Sequence, residues 1–240
     1  DSQHDIDLGF ENNIDQVAVR NVEAAAEINI RSTRNLLVGN VVAQVVQGAN
    51  FELTPAMGNA VVGISSTNGD ILAHTDGALT IDANETFDGI GTGTAINSGG
   101  ATTRLVANGD IRQDSDGLIT ANALGVRQLE ATAPIAADPA DIDADLAHDI
   151  DLGYVNSVNI FAATNANDAN GSMNADGGII TFQSGNALTI DTVTAASNGN
   201  ASFVATSGVS TTNGGAAVAS RDTDGDGVFE TLDVLAGDIL

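Results

Sequence analysis

Cysteine is absent from this chain of 240 residues, and lysine is absent too. Without cysteine, neither disulfides nor thiolate metal sites are available. Aromatic residues make up only 3% of the chain, so a core has to be built from valine, isoleucine, leucine and alanine. No apolar run approaches the length of a membrane span, so membrane insertion is not expected. With 27 glycines and 3 prolines, the chain can turn often and still donate the backbone hydrogen bonds of a sheet.

Basic residues are scarce, because 7 Lys+Arg stand against 32 Asp+Glu and the net charge is −25. A protein that binds nucleic acid regardless of sequence needs a basic face to displace counterions, so that class is excluded. An anionic membrane surface would repel the chain as well. Acidity of this degree favours solubility and is tolerated where cations are plentiful, as in seawater, brine or extracellular fluid.

Short apolar runs recur between turn signals along the chain. Asn68–Asp82 and Asn108–Thr120 both open on N-G-D-I, pass through D-G and continue with a second short apolar run. Such runs are too short for helices, and recurrent strand–turn–strand units predict a β-solenoid in which each coil packs on its neighbours. At roughly 20–25 residues per coil, the chain would make about ten coils. Two irregular stretches, Ala83–Thr103 and Ala131–Ala147, are predicted to be lateral loops.

A longer repeat is superimposed on the short one. The heptapeptide HDIDLGF at His4–Phe10 returns as HDIDLGY at His148–Tyr154, an offset of 144 residues. Two of the three histidines therefore occupy equivalent places, which points to a structural role for them. We predict a single β-solenoid over residues 1–240, with a super-repeat at 4–147 and a partial second copy at 148–240.

These residues carry a resemblance to a known class of repeats. The pattern N-G-D-I-x-Q, then G-x-I-T-A-x-x-L-x-V and D-I-D-L, resembles the repeats of filamentous-haemagglutinin-type exoproteins. It is similar also to the giant repeat-rich surface proteins of aquatic bacteria, and it is clearest over residues 68–81 and 108–165. The resemblance implies an all-β, right-handed parallel β-helix in a secreted or surface-displayed fibre, used in adhesion or as a coat. The acidity and the lateral loops depart from that class, so no partner is carried over from it.

The expected function is that of a non-catalytic structural module in an extracellular fibre or surface coat. Leu235–Leu240 reads like the start of another coil, and neither end shows a capping helix, so further coils should come from copies of the chain or from a longer chain. A glycan-binding or cell-binding adhesin module is the alternative. A polysaccharide lyase is less favoured, because Arg31 and Arg34 are the only close basic pair and a body of −25 would repel an acidic glycan. No G-x-S-x-G nucleophile motif is present.

The sharpest local motif is DTDGDGVFETLD at residues 222–233. Its oxygen donors have the spacing of an EF-hand calcium loop, with a glycine at the sharp turn. The loop resembles the calcium loops of dockerins and thrombospondin-type repeats, although an aspartate closes it in place of the bidentate glutamate and no flanking helices are evident. The alternative is an acidic turn without metal. The predicted Ca²⁺ ligands are Asp222, Asp224, Asp226, Val228 (through its carbonyl), Glu230 and Asp233.

Calcium should stabilise the folded chain if this loop binds it, because a ligand of the native state lowers the free energy of that state by mass action. Replacing Asp224 and Asp226 together with alanine should abolish most of the binding heat in calorimetry and most of the calcium-dependent rise in Tm. The matched control replaces Asp114 and Asp116, which removes the same charge from another D-x-D-G turn. No heat of binding, together with a Tm that EDTA leaves unchanged, would reduce the loop to an acidic turn.

Overall fold

The structure is a computed structural model that describes residues 4–47, 52–82, 94–129, 148–165, 180–194, 201–205, 209–211 and 235–236. Throughout these ranges the regular structure is β, which confirms the all-β prediction. Within the same ranges no helix has the length and apolar character needed to cross a membrane.

Twenty strands follow one another along the described chain, and most of them are short. In order they are β1 (Ile6–Asn12), β2 (Gln16–Val17), β3 (Val19–Ala24), β4 (Ile28–Ser32), β5 (Leu36–Val38), β6 (Asn40–Gln47), β7 (Glu52–Val62), β8 (Ile64–Thr67), β9 (Ile71–Thr75), β10 (Leu79–Ile81), β11 (Thr94–Asn97), β12 (Thr102–Ala107), β13 (Ile111–Gln113), β14 (Leu118–Gln128), β15 (Ile150–Asn165), β16 (Ile180–Ser184), β17 (Leu188–Thr194), β18 (Ala201–Ala205), β19 (Val209–Thr211) and β20 (Leu235–Ala236).

All strands except β6 and β7 pair in parallel, and they form three ladders that the chain visits in turn. The first ladder runs β1–β4–β9–β12–β14–β15–β17–β19. The second runs β2–β5–β10–β13–β15–β16–β18–β20. The third runs β3–β8–β11–β14–β15, since β14 and β15 are long enough to serve more than one ladder. The large parallel sheet curls into a half-barrel, which is consistent with a β-solenoid.

The register of the first ladder gives the length of each coil. Ile6 pairs with Ile28, 22 residues on, and Thr103 pairs with Leu124, 21 residues on. Ile28 pairs with Ile71, however, 43 residues on, because β6 and β7 intervene. Insertions of this kind make some coils longer than the predicted length of roughly 20–25 residues, and the number of about ten coils for the whole chain stays a prediction. The aligned positions in the described chain are eight, namely Ile6, Ile28, Ile71, Thr103, Leu124, Phe161, Ile190 and Thr211.

The predicted lateral loop at Ala83–Thr103 is partly wrong. Strand β11 (Thr94–Asn97) lies in the third ladder, and its Ala95 and Ile96 are fully buried. The run of small residues around this strand concealed it, because alanine and threonine between glycines give a weak strand signal. Residues 83–93 and the other predicted loop, Ala131–Ala147, lie outside the described residues.

Alternate residues of the ladder strands point inward and are buried, as the strands β4, β9 and β16 illustrate. The core is built of isoleucine, leucine, valine and alanine, as the composition requires. Its largest side chains are Phe161 from the first ladder and Phe182 from the second, whose rings stack with centroids 4.1 Å apart at 11°. Stacked aromatic rings of this kind add to the free energy gained from burial alone.

Buried hydroxyl groups satisfy the backbone where strands end at corners. Ser32 Oγ donates to the Ile14 carbonyl at 2.6 Å and accepts from the Arg34 N–H at 3.1 Å. Ser66 and Ser184 make the same two kinds of bond at other corners. Because buried backbone groups cannot be left unpaired without cost, these small hydroxyl residues allow tight corners inside the stack.

The repeated heptapeptides adopt one local structure. Between Leu8 and Asn12, strand β1 has two more residues than its partner β4, and between Leu152 and Asn156, strand β15 has two more than β16. The asparagine amide closes each bulge: Asn12 Nδ2 donates to the Leu8 carbonyl at 2.8 Å, and Asn156 Nδ2 donates to the Leu152 carbonyl at 3.2 Å. The two bulges differ in place, because β1 starts in the first ladder and β15 starts in the second. The super-repeat of residues 4–147 and 148–240 stays a prediction.

Asn156 is 1% exposed and should contribute more to stability than its equivalent Asn12. Its Oδ1 accepts from Gln113 Nε2 at 2.8 Å and from the Ile119 N–H at 2.9 Å. Replacing Asn156 with alanine would leave the buried Ile119 N–H without this acceptor and would leave Gln113 Nε2 with only the Gly117 carbonyl, so we expect a loss of about 3 kcal/mol in the free energy of unfolding. The control, Asn12→Ala, should lose roughly 1 kcal/mol, because water can replace the amide at a half-buried site. Urea denaturation of both variants tests this, and equal losses would contradict it.

Candidate functional site

The predicted calcium loop at residues 222–233 lies outside the described residues, and so do all six of its predicted ligands, Asp222, Asp224, Asp226, Val228, Glu230 and Asp233. Elsewhere, across the part of the chain that the structure describes, no group of three or more His, Cys, Asp or Glu side chains is placed to hold a metal ion. Calcium binding by the loop therefore stays a prediction.

Each histidine lies beside a carboxylate. His4 Nδ1 is 3.0 Å from Glu23 Oε2, and His148 Nδ1 is 3.2 Å from Asp110 Oδ1. His74 Nε2 is 3.6 Å from Asp76 Oδ1. Burial lowers the pKa of His74, and the neighbouring Arg31 lowers it further against the opposing effect of Asp76. His74 is thus disfavoured as a cation in the folded chain.

The two arginines of the close basic pair are both engaged by carboxylates. Arg31 Nη2 lies 3.5 Å from Asp76 Oδ1 and 3.6 Å from Glu11 Oε1. Arg34 Nε lies 3.0 Å from Asp15 Oδ1. Neither arginine offers the uncompensated positive charge that would neutralise an acidic sugar.

The aspartates of the D-I motif join adjacent coils. Asp5, Asp70 and Asp110 each stand directly before the first isoleucine of a ladder strand. Each uses Oδ1 to accept a backbone N–H at the start of the aligned strand in the next coil. The donors and distances are Glu27 N at 2.8 Å, Thr102 N at 3.0 Å and Asp149 N at 3.0 Å, in that order.

Asp70 shows how one such residue connects three coils. Its backbone carbonyl accepts from the Ile28 N–H of the preceding coil at 2.9 Å. Its Oδ1 accepts from the Thr102 N–H of the following coil, and its Oδ2 accepts from Arg104 Nη1 at 2.9 Å. The carboxylate thus continues the ladder one step beyond the last backbone pair, so we call this arrangement an aspartate staple.

Asp110 repeats the arrangement with a different basic partner. Its carbonyl accepts from the Leu79 N–H at 2.8 Å, and its Oδ1 accepts from the Asp149 N–H. Its Oδ2 lies 2.8 Å from Arg112 Nη2, two residues along the same strand. His148, from the repeated heptapeptide, contacts the same carboxylate.

The asparagine and glycine that precede Asp70 in the first N-G-D-I motif also meet neighbouring coils. The side-chain Oδ1 of Asn68 accepts from the Gly100 N–H of the next coil at 2.8 Å. A Cβ on Gly69 would lie 1.9 Å from the Ala26 carbonyl oxygen, so only glycine allows the coils to approach this closely. The sequence analysis identified N-G-D-I as a repeat but missed the hydrogen bonds between coils. The signal that could have revealed them is the aspartate directly before the first isoleucine of each of these strands.

The chain matches no known family model, and comparisons with curated proteins and with solved structures likewise gave no match.

Removing the charge of Asp70 should destabilise the chain in a pH-dependent way. Burial raises the pKa of Asp70, but its hydrogen bonds with Arg104 and the Thr102 N–H outweigh that effect and hold the pKa below its ordinary value of 3.8. A carboxylate with a lowered pKa stabilises the fold fully above the ordinary value, and the contribution is lost as the pH falls through the lowered pKa. Asp70→Asn should therefore cost roughly 1 kcal/mol at neutral pH, a figure reduced for solvent screening, and progressively less in acid.

Urea denaturation from neutral to strongly acidic pH measures the difference in the free energy of unfolding between the wild type and Asp70→Asn. Asp5→Asn is the matched control, because Asp5 accepts the same kind of backbone bond without an arginine partner in the described chain. A difference between wild type and Asp70→Asn that stays constant down to strongly acidic pH would contradict the assignment.

Proposed function

We propose that this chain is a non-catalytic structural module of an extracellular fibre or surface coat, stacking end to end with further coils. Those coils come from copies of the chain or from the continuation of a longer chain. The observation that carries the proposal is that β1, β2 and β3, the first coil, pair on one side only among the described residues. A row of unpaired strand edges is a template for another coil.

The apolar residues of the first coil support the same proposal. Leu8 is 38% exposed, although the aligned Ile30 of the next coil is fully buried. Ile6, Ile14 and Val19 are only partly buried where they pack against the core. One more coil would cover these side chains as each coil covers the next, so stacking gains apolar burial as well as backbone hydrogen bonds.

The aspartate staples supply a specific joint for such stacking. Each staple ends on a backbone N–H directly before the first paired residue of the next coil. The donors are the N–H groups of Glu27, Thr102 and Asp149, and each bonds an aspartate of the preceding coil. Asp5 holds that position in the first coil, and its N–H has no hydrogen bond among the described residues. The G-D-I part of the motif occurs again at residues 237–239 of the sequence. Its aspartate, Asp238, is a candidate to supply the missing carboxylate.

We also propose that the coils wind as a right-handed parallel β-helix. Parallel strands joined by a crossover within one sheet are right-handed in the great majority of proteins. The resemblance to filamentous-haemagglutinin-type repeats supports the same hand. The net charge of −25 supports an extracellular setting rich in cations, because counterions screen the repulsion between stacked copies.

A glycan-binding adhesin module is the second candidate, and one observation favours it. Each bulge in the repeated heptapeptide presents an aromatic ring to solvent, with Phe10 84% exposed and Tyr154 45% exposed. Flat aromatic faces can pack against the C–H groups of a sugar ring. A lyase has less support, because Arg31 and Arg34 are both held by carboxylates.

End-to-end stacking predicts a mass that grows with protein concentration. Light scattering on the 240-residue chain should give oligomers, and electron microscopy should show rods whose length varies while their width does not. Leu8→Arg is the matched disruption, because it places a charge on the open face of the first coil. Val155→Arg is the control, because Val155 is also exposed but lies in β15, which is paired on both sides. A monodisperse particle of 24.1 kDa at all concentrations would overturn the proposal. Depolymerisation of pectin or alginate by the purified chain would overturn its non-catalytic part.

A further inference from the structure

The two copies of the repeated heptapeptide share their surroundings as well as their bulges. At each copy, the carbonyl of the asparagine that closes the bulge accepts a backbone N–H from the next coil, at 2.8 Å for Asn12 and 2.7 Å for Asn156. Two residues further on, a carbonyl accepts a serine hydroxyl of the next coil, at 2.6 Å for Ile14 and 2.7 Å for Val158. The two stretches are therefore structurally equivalent, at an offset of 144 residues.

One copy is covered by a coil on each side, and the other is not. Strand β15, which contains the second copy, pairs with β13 and β14 of the preceding coil and with β16 and β17 of the next. Strand β1, which contains the first copy, pairs only with β4 among the described residues. Leu152 and Ile150 are fully buried as a result, whereas the equivalent Leu8 is 38% exposed and Ile6 is only partly buried. The coil that precedes β15 therefore shows what would cover the first coil.

The preceding coil meets β15 through strand β13 and the aspartate before it. Ile111 aligns with Ile150, and its N–H donates to the Asp149 carbonyl at 2.8 Å. The Asp110 carboxylate accepts the Asp149 N–H at 3.0 Å, which is the staple described above. Arg112 aligns with the second aspartate of the heptapeptide, so opposite charges stand side by side. The strand D-I-R-Q thus fits the heptapeptide in backbone, side chain and charge.

A pair of buried amides makes the contact more specific. Gln113 Nε2 donates to Asn156 Oδ1 at 2.8 Å, and Asn156 Nδ2 donates back to Gln113 Oε1 at 3.1 Å. Gln113 is 5% exposed and Asn156 is 1% exposed, so these hydrogen bonds lie in an environment of low dielectric constant, where each is stronger than in water. An amide carries both a donor and an acceptor, so a side chain without one could not make both bonds at this position.

On the first coil, the groups equivalent to these have no partner in the part of the chain that the structure describes. Neither the N–H nor the carbonyl of Asp5 is hydrogen-bonded there, although both groups of the equivalent Asp149 are. Asn12 hydrogen-bonds only through its Nδ2 and its own carbonyl, and its Oδ1 accepts no hydrogen bond from the described residues. The backbone and amide groups that hold a preceding coil on β15 are thus open on β1.

One group of the first coil already contacts a carboxylate. His148 Nδ1 is 3.2 Å from Asp110 Oδ1, whereas the equivalent His4 Nδ1 is 3.0 Å from Glu23 Oε2 of its own coil. Ion pairs at the surface contribute little to stability. An incoming aspartate can therefore replace Glu23 beside His4 at small cost.

We propose that the first coil is a docking site for a strand–turn–strand segment of the D-I-x-Q type from a further chain, and that the segment binds it as residues 110–121 bind β15. The aspartate of the segment accepts the Asp5 N–H, its isoleucine pairs with Ile6, and its glutamine exchanges two hydrogen bonds with Asn12. The inference rests on the proposed end-to-end stacking and names the strand that stacking brings to this end.

Disulfide capture of a synthetic peptide tests the site and its register, since the chain itself has no cysteine. The peptide has the sequence of residues 108–121 with Arg112→Cys, and the full chain carries Asp7→Cys. Asp7 is equivalent to Asp151, which aligns with Arg112, and aligned residues of neighbouring strands lie about 4.8 Å apart, within the range of a disulfide. We expect a disulfide between peptide and chain under mild oxidation, at a chain concentration below that at which rods form.

The matched control for this capture is Asp151→Cys. It places a cysteine at the equivalent exposed position of β15, where the preceding coil already occupies the strand edge. This variant should capture far less peptide than Asp7→Cys. Equal capture by the two variants, or no capture by Asp7→Cys, would refute the docking site.

A double-mutant cycle tests the pair of amides. Replacing Gln113 of the peptide with alanine, or Asn12 of the chain with alanine, should each weaken peptide binding about tenfold, because each change removes the same two hydrogen bonds. With both replaced, the loss should stay near tenfold, since only one interaction has been removed. Fluorescence anisotropy of a labelled peptide gives the affinities. Losses that add to roughly a hundredfold contradict the pairing of the two amides.

Rod length separates the docking site from stacking itself. An excess of the peptide should shorten rods of the natural chain, because a peptide on the first coil blocks the next copy. Capture of the peptide by a chain that scatters light as a monomer at all concentrations would support the docking site and refute stacking by copies. Rods that form although Asp7→Cys captures no peptide would refute the docking site and leave stacking standing.

Discussion

The parallel ladder between successive coils is the constraint on which the rest of this structure depends. A parallel ladder requires that each coil return to the same register, so residues 21 or 22 positions apart must suit the same environment where no insertion intervenes. The aligned inward positions are filled by isoleucine, leucine, phenylalanine and small residues, and the corners by serine, threonine and glycine. The scarcity of aromatic residues follows from this geometry, because a narrow stacked interior repeats and has little space for large rings.

The same constraint explains why acidic residues are compatible with the fold. A carboxylate at the start of a ladder strand accepts a backbone N–H that would otherwise lack a partner, as Asp70 and Asp110 do. Asparagine performs a related task inside the two bulges, where the Asn12 and Asn156 amides bond carbonyls of their own strand and of the neighbouring one. Polar side chains at these positions thus bond the backbone where the regular ladder ends.

The fold class could be predicted from the sequence because the alternation of apolar residues and the turn residues between strands can be read within short stretches of the chain. The N-G-D-I runs and the alternating isoleucines marked strands β9 and β13, and the composition excluded a core of large side chains. The sequence analysis failed where the position of a strand in the fold depends on which strand it pairs with. The valines of β6 and β7 indicate strands, but nothing in their periodicity tells that they pair antiparallel outside the stack. The hydrogen bonds of Asp70 to the next coil were equally hidden, since they depend on a residue 32 positions away along the chain. The calcium loop is local in sequence and was readily proposed, yet its ligands fall outside the described residues.

The unequal lengths of the coils have a mechanical consequence. Hydrogen bonds of the ladders run along the stack, so a pull on its two ends loads the contacts between coils directly. When a coil detaches, it releases its whole contour. A coil of 22 residues, such as the one from Ile6 to Ile28, gives about 70 Å of extended chain. The coil from Ile28 to Ile71 spans 43 residues and gives about 140 Å. A rod of such coils lengthens under tension in steps of different size. The coils that contain insertions release the longest stretches of chain, and they lie at fixed positions along the rod.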